Sequence, residues 1–392
     1  MLMDGITIID KTILWYFIIL SCGYLLLLVT SIPPIFHAFK QIEVGNIVSI
    51  TQSIALPAIT IIIPAFNESL LLIDTVESAL KSKYPNTFIT VINPSSTDDM
   101  LKKLIDKYQL YPITPLIQTK IKTNGAVKEY YVSKLYKNLT VINKEHTDRS
   151  DTINVGVNAC QTPLFMTLDA DTLIEPDAIN NILFYMLCNA HMIAAGGAVF
   201  VLNGCLVKDG TIISPNMSGK PLYAFQTCEY LRSFYFDKVG WNAFGGALSY
   251  AGAFTLFDVK IVITIGGYQI GNLAQDFEII THLHEYARAN NIPYKIGYTP
   301  TAAVWTDVPG TVKTYWKQRY NWQYSILQSL MSHKKMLFNP KFGVVGLFTY
   351  PFFLFGETLS AIVEFTAYLS VILTWYLGIL NVTFAFLLFL LC

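Results

Sequence analysis

The spacing of apolar residues divides this chain into three regimes. Ile13 to Ile32 runs for twenty residues without a charge. At ~1.5 Å per residue that is enough to cross a bilayer as a helix, and Pro33-Pro34 predict its end. From Phe342 to Cys392 the only charges are Glu357 and Glu364, which leaves room for two spans and the beginning of a third in the closing run from Phe384. Between these ends, short apolar runs alternate with helical spacing. Ile59–Ile63, Phe88–Ile92, Leu139–Ile142 and Leu164–Leu168 have the length and composition of buried strands. Helices are predicted over Ser69–Ser82, from a Ser96 or Thr97 cap through Tyr108, and over Asp151–Ala159, 276–290 and 311–332. Residues 109–138 are polar and basic without a period and read as an insertion. Such alternation predicts an α/β fold with a parallel sheet covered by helices on both faces, its ligands bound beyond the carboxyl ends of the strands.

Composition agrees with apolar ends around a folded centre. Of 392 residues 53% are hydrophobic and only 14% charged, against about 25% charged in ordinary soluble domains. The formal net charge is zero, which gives no electrostatic footprint for nucleic acid. Six cysteines are scattered without a Cys-x-x-Cys pair, so neither a zinc site nor a disulfide framework is implied, and a reducing compartment fits. Acidic Asp4 and Asp10 precede the first apolar run, balanced only by Lys11. A secretory signal needs a basic start, so the run reads as a retained anchor. Lys313, Lys317, Arg319, Lys334, Lys335 and Lys341 crowd the approach to the second apolar region, which makes that side cytoplasmic and the chain an integral membrane protein with its central domain in the cytosol. The expected units are an anchor and linker over 1–56, an α/β domain over 57–310, an amphipathic interface helix over 311–340 and further spans over 341–392.

Chemistry concentrates where strands end. Asn67-Glu68, Ser96-Thr97-Asp98 and Asp169-Ala170-Asp171 each follow a predicted strand and therefore converge on one sheet edge. Strand alternation sends Asp169 and Asp171 the same way. Two close carboxylates raise a pKa unless a cation lies between them, and their oxygens suit Mg²⁺ or Mn²⁺ with positions left for phosphate. A solvated acidic turn is the plainer reading of the pair alone. His282-Leu283-His284 lacks the i, i+4 spacing of a zinc helix.

The order of motifs resembles the family 2 glycosyltransferases. Ile61-Ile62-Ile63-Pro64-Ala65-Phe66-Asn67-Glu68 resembles their opening signature, Asn154-Val155-Gly156 their Asn-x-Gly, and Asp169-Ala170-Asp171 their metal-binding Asp-x-Asp. Gln226–Leu231, Ala251–Phe254, Gly266-Gly267-Tyr268, Gln275–Glu278, Trp305–Pro309 and Gln318–Trp322 follow in order. Over about residues 57–370 the set is similar to the membrane-embedded branch of cellulose, hyaluronan and poly-N-acetylglucosamine synthases. The resemblance implies a Rossmann-like GT-A fold flanked by transmembrane helices. It also implies inverting transfer of a sugar from a nucleotide-diphosphate donor, most simply a UDP-sugar, to a polysaccharide or lipid-linked acceptor. On this reading Asp169 and Asp171 hold Mg²⁺ or Mn²⁺. Pro64, Ala65, Asn67, Glu68, Asn93, Asp98, Asp169, Gln318 and Asn321 hold the donor. Asp276 is the base, and Trp322 is the platform for an acceptor sugar. A helix N-cap remains the alternative for Asp276 and an interfacial anchor the alternative for Trp322. The bilayer and polysaccharide-export proteins are the implied partners.

Three positions depart from that family. Asn93-Pro94-Ser95-Ser96 stands where an Asp-Asp-Gly-Ser type turn is usual, Gln275 where Glu is usual, and Asn321 where Arg is usual. Each removes a charge near the donor, worth ~1.5–3 kcal/mol apiece. Arg319 is not expected to replace residue 321, since two helical positions turn it ~200° away. A catalytically impaired, nucleotide-binding scaffold of a polysaccharide-synthesis complex is therefore the alternative to an enzyme.

Overall fold

The computed structural model describes residues 2–43, 56–115 and 117–391; most of the linker expected before residue 56 lies outside them. Four strands read from the sequence form the parallel centre of the sheet: β1 (Ile59–Pro64), β2 (Thr87–Asn93), β5 (Leu139–Lys144) and β6 (Leu164–Leu168). β1 lies between β2 and β6, and β2 continues to β5, all parallel. Every residue of β1 and β6 is buried, as continuous apolar runs require in a sheet covered on both faces.

The sheet is mixed rather than wholly parallel. Its order is β3-β4-β5-β2-β1-β6-β11-β8-β12-β7, completed by β3 (Leu110–Ile113), β4 (Val127–Ser133), β7 (Thr172–Ile174), β8 (Met192–Val201), β11 (Phe254–Asp258) and β12 (Lys295–Thr306). β11 runs antiparallel to both β6 and β8, and β12 antiparallel to β7. Residues 109–138 are thus not a structureless insertion. β3 and β4 pair antiparallel at one sheet edge, where β4 buries only part of its side chains and Pro112 costs no ladder bond in an edge strand. β9 (Leu206–Lys208) and β10 (Thr211–Ser214) form a separate hairpin.

The helices are α1 (Leu2–Glu43), α2 (Leu72–Leu80), α3 (Met100–Tyr108), α4 (Arg149–Ala159), α5 (Ala178–Leu187), α6 (Pro221–Leu231), α7 (Lys238–Ala243), α8 (Val259–Thr264), α9 (Gln275–Ala289), α10 (Val312–Ser332), α11 (Ser360–Tyr376) and α12 (Val382–Leu391). α1 does not stop at Pro33-Pro34 but runs on to Glu43. Proline's fixed φ is helical, and only backbone bonds are lost. The extension sets Phe39 parallel to Tyr235, with ring centroids 6.2 Å apart. Neither Ser96 nor Thr97 caps α3; Asp98 accepts from Met100 N instead, at 3.2 Å. Gly5–Lys40 and Val345–Tyr376 are long and apolar enough to cross a membrane, and Val382–Leu391 is apolar but shorter.

Two details explain motifs that the sequence shows only as letters. A Cβ on Gly156 would stand 2.6 Å from Ile62 Cγ2 and 2.7 Å from Ile92 Cδ1, so only glycine lets α4 lie this close to β1 and β2. Asn154 donates to the Tyr268 carbonyl and accepts from Tyr268 N, both at 2.8 Å. That double bond fixes the turn at Gly267, whose φ of +81° suits glycine. α4 begins on an Asp148 cap, with Asp151 N donating to its carboxylate at 2.7 Å. Asp151 itself is fully buried against Lys144 at 2.9 Å. Burial alone would raise its pKa, but the Asn124 N–H, Lys144 and Thr147 hold it below the ordinary range.

α9 and the end of α10 are joined by a buried ion network. His333 Nδ1 lies 2.6 Å from Glu285 Oε2 and its Nε2 lies 3.4 Å from Glu278 Oε1, with Lys335 Nζ 2.6 Å from Glu285. Burial works against a charged His333, yet the two glutamates outweigh it and raise its pKa to about 9. Burial likewise works against ionised Glu285, and His333 and Lys335 pull it down to about 2. The His333 contribution to stability is therefore complete below its ordinary pKa of 6.5 and disappears as pH rises through about 9. That of Glu285 is complete above 4.5 and disappears as pH falls toward 2. His333→Ala removes the charged partner of buried Glu278, leaving only His282 at 3.6 Å, and is expected to cost about 3 kcal/mol at pH 7. Thermal melting of the detergent-solubilised chain checks this. The parent should lose stability between pH 7 and pH 10, and the variant should lose less over the same interval.

Candidate active site

The edge where β1, β2, β5 and β6 end carries the acidic turn. β6 stops at Leu168 and β7 starts at Thr172, so Asp169-Ala170-Asp171 is the link between them. Thr75 of α2 donates to the Ala170 carbonyl at 2.8 Å, and Thr172 N to the Asp169 carbonyl at 3.1 Å. The hydroxyls of Thr172 and Thr306 both reach Asp171 Oδ1 at 3.2 Å. Asp171 is pushed up to about 7, chiefly by burial and then by the neighbouring charges of Asp169 and Glu68. Glu68 is raised in turn, by burial and by Asp169. Crowded carboxylates of this kind favour a cation.

A protein cation is already present. The Arg149 guanidinium, at the first position of α4, is paired with Asp169. Gln275, at the start of α9, satisfies its amide fully when its oxygen accepts from Arg149 Nε at 2.7 Å and its nitrogen donates to the Leu273 carbonyl at 2.9 Å. Arg149 was not singled out from the sequence, and Gln275 was read there only as a charge lost near the donor.

Two cavities meet at Arg149, Asp169 and Asp171. The first, about 280 Å³, is bounded by Pro64, Ala65, Phe66, Glu68, Pro94 and His146. The Phe66 and His146 rings lie 4.5 Å apart. Of the expected donor residues, Pro64, Ala65, Glu68 and Asp169 therefore share one cavity. Asn67, Asn93 and Asp98 do not line it. Asn67 Oδ1 accepts from Thr97 N at 2.8 Å, and Asp98 Oδ2 from Ser69 N at 3.1 Å. Asn93 is buried, donating to Asn143 Oδ1 at 3.1 Å and accepting from Ser96 N at 2.9 Å. These three side chains tie the loops to one another. Polar residues after strands serve either purpose, and spacing alone does not tell which.

The second cavity, about 500 Å³, extends from the acidic turn past Asp276 and Lys238 to Gln318, Arg319, Asn321 and Trp322 of α10. Asp276 is not a cap. Ala274 occupies that position, and Asp276 Oδ1 accepts from Phe277 N at 2.9 Å within the first turn of α9. Burial raises the Asp276 pKa, opposed by the Phe277 N–H, Lys238 and Arg149. Burial in turn lowers the Lys238 pKa, against the pull of Asp276.

Arg319 also faces this cavity, contrary to the helical-angle expectation. Its guanidinium lies 2.6 Å from Glu229 and stacks 4.2 Å from the Trp322 ring and 4.7 Å from that of Tyr315. A long side chain drawn by a carboxylate and two aromatic faces is not bound by the angle of its Cβ. One face of Trp322 is thereby covered, and the residue remains 44% exposed. Arg232 and Lys317 do not line the cavity.

Two family models match the chain: the glycosyl transferase family group 2 over residues 164–390, and the glycosyl transferase family 2 over residues 60–204. The poly-beta-1,6-N-acetyl-D-glucosamine synthase of Staphylococcus aureus (strain COL) is 27% identical over 267 residues, 68% of this chain and 54% of the relative. The protein of the same name from Staphylococcus epidermidis is 27% identical over 264 residues, covering 67% and 53%. The chain thus spans about half the length of the curated relatives it matches. Among solved structures, the mannosyltransferase PcManGT from Pyrobaculum calidifontis, in complex with GDP-Man and Mn²⁺, aligns with a TM-score of 0.52 at 14% identity, over 89% of this chain and 86% of that one. That likeness is one of fold. With the mixed sheet and an acidic turn at its edge, these matches show that the chain has a GT-A fold and belongs to the glycosyl transferase family group 2.

Proposed function

We propose that this protein transfers a sugar from a nucleoside-diphosphate donor to an acceptor hydroxyl, with inversion, at the cytosolic face of a membrane. The observation that carries the reading is that Asp169, Asp171 and Asp276 all line one cavity that continues to Trp322. Pro64, Ala65, Phe66 and His146 are suited to enclose the nucleoside, and Arg149 is within reach of the diphosphate beside Asp169. Trp322 offers its free face to an acceptor ring. The staphylococcal relatives bear the name of poly-N-acetylglucosamine synthases, which favours UDP-N-acetylglucosamine as the first donor to test and a growing polysaccharide as the acceptor. Gly5–Lys40 and Val345–Tyr376 would hold the domain at the bilayer, with the basic stretch around α10 on the cytoplasmic side.

The acidic turn fits a hard divalent ion. Asp171 is a partly buried carboxylate beside Asp169 and Glu68 with its pKa raised to about 7, the condition that a cation would relieve. Among the described residues no group of three or more metal-binding side chains is assembled, so Asp169 and Asp171 would share the ion with donor phosphate oxygens. Mg²⁺ or Mn²⁺ there would neutralise charge on the departing diphosphate. Asp276 takes the proton from the acceptor hydroxyl as its oxygen attacks the anomeric carbon from the face opposite the leaving group. The Phe277 N–H, Lys238 and Arg149 oppose the rise that burial imposes on the Asp276 pKa, and so favour the carboxylate form that accepts that proton. The scaffold alternative rested on three lost charges; Arg149, Lys238 and Arg319 around the cavities favour an enzyme.

Two substitutions test the assignment. Asp171→Asn is expected to weaken UDP binding in Mn²⁺ by at least roughly 10-fold, since disturbing even the outer partners of a metal costs that much. Calorimetry on the solubilised chain measures it, and parental affinity in the variant would remove the metal assignment. Asp276→Asn is expected to keep UDP affinity within a few-fold and to lower turnover by ~10²–10⁴, the usual share of a general base. Transfer of radiolabelled N-acetylglucosamine from UDP supplies the rate, and unchanged turnover would remove Asp276 from the mechanism.

A further inference from the structure

We infer that Gln275 is a positioning residue for Arg149. It holds the guanidinium as the phosphate-binding cation of the cleft, and its lack of charge is what leaves that cation available to the donor. The inference rests on the reading above that the cleft takes a nucleoside diphosphate.

The geometry is a fork held from two sides. Arg149 opens α4, where the Asp148 cap and the buried Lys144–Asp151 pair fix its backbone. Its Nη2 is paired with Asp169, while its Nε donates to the Gln275 oxygen at 2.7 Å in the amide orientation that pairs both ends of that side chain. Gln275 is itself anchored, because its amide nitrogen donates to the Leu273 carbonyl at 2.9 Å. A guanidinium has five N–H donors in one plane, and Nε and Nη2 supply one each to these two partners. The other three N–H groups are left for phosphate oxygens in the cavities that Arg149 borders on both sides.

Charge decides why an amide stands here. Arg149 already lies among Asp169, Asp171 and Asp276. A glutamate at 275 would add a carboxylate at hydrogen-bond distance. Two acidic partners on one guanidinium would hold it in place and cancel its attraction for an incoming diphosphate. The amide keeps the hydrogen bond and adds no charge. Asn321 and Gln275, read from the sequence as two separate losses, then become one arrangement. The cleft lacks a cation on α10 at position 321, and it spares the cation on α4 by having no anion at position 275.

The test is calorimetry on the detergent-solubilised full chain with UDP and with uridine, in Mn²⁺, for the parent, Gln275→Glu, Arg149→Met, Arg149→Lys and the Gln275→Glu/Arg149→Met pair. Melting temperature is followed to establish that each variant is folded. Gln275→Glu is expected to weaken UDP about 10-fold, the scale of one charge-assisted contact, and to leave uridine affinity unchanged, which a general packing defect would not do. Arg149→Met should weaken UDP at least as much, and Arg149→Lys should recover part of the loss. The double variant should be no weaker than Arg149→Met alone, because the glutamate acts only through the guanidinium. Unchanged UDP affinity in folded Gln275→Glu, equal losses for UDP and uridine, or additive losses in the double variant would each overturn the inference while leaving the transferase reading in place. A parent chain that binds no nucleoside diphosphate would overturn both.

Discussion

Repulsion among carboxylates is the constraint on which the rest of this cleft depends. Glu68, Asp169, Asp171 and Asp276 border two adjoining cavities, where partial burial of the three aspartates limits the water that screens them. Burial raises the pKa of both Asp171 and Asp276, and the charges of Asp169 and Glu68 push Asp171 further. A site of this kind holds its charge only if positive groups are delivered to it, and the fold delivers them from separate elements: Arg149 on α4, Lys238 on α7 and Arg319 on α10. Each is itself held. Asp151 and Lys144 bury their charges to fix the start of α4. Glu229 restrains Arg319. The sheet edge presents acids in a fixed array, and the helices around it are placed so that those acids are met.

How much of this was legible in the sequence follows from what kind of signal each part leaves. The parallel centre was legible because β1 and β6 are buried throughout and β2 and β5 nearly so, and they therefore read as apolar runs. β3 and β4 were hidden because an edge strand needs to bury only part of itself, and their polar, basic residues imitate a loop. β8, β11 and β12 bring antiparallel pairs into the sheet, a property that lies in the partner and not in the strand. Asp169, Asp171, Asp276 and Trp322 could be read as motifs. Arg149 and Lys238 could not, since their importance comes from charge balance across elements distant in the chain.

The polar loops teach the converse lesson. Asn67, Asn93 and Asp98 occur where ligand-binding residues are expected, yet their side chains bind backbone amides and one another's loops. A loop carrying function at a sheet edge has to be held as well as equipped. Once buried, Asn93 must find partners for both ends of its amide, and it finds them in Asn143 and Ser96. The neutral turn at Asn93-Pro94 is thus a structural clamp beside the first cavity, with Pro94 rather than Asn93 on its wall.

The same logic links the cleft to the apolar helices. One flank of α10 lines the second cavity through Gln318, Asn321 and Trp322, while Trp316, Tyr320 and Tyr324 remain exposed on the helix. Gln323 ties it downward, donating to the Glu357 carbonyl at 2.5 Å, and the Glu357 carboxylate accepts from Tyr24 of α1 at 2.8 Å. Glu357, which hydropathy alone marks as a costly charge within an apolar region, therefore joins both candidate spans to the helix that carries Trp322. Asn272 reaches the same helix from the other side through Ser329 at 3.1 Å, one residue beyond Gly271 and four ahead of Asp276. Because α10 is tied at once to the start of α9 and to the apolar helices, a shift of the spans relative to the sheet would move Trp322 with respect to Asp276. On the proposed reading of Trp322 as acceptor platform and Asp276 as base, the distance between them depends on how the apolar helices sit against the folded domain, which would make those helices part of the geometry of the reaction.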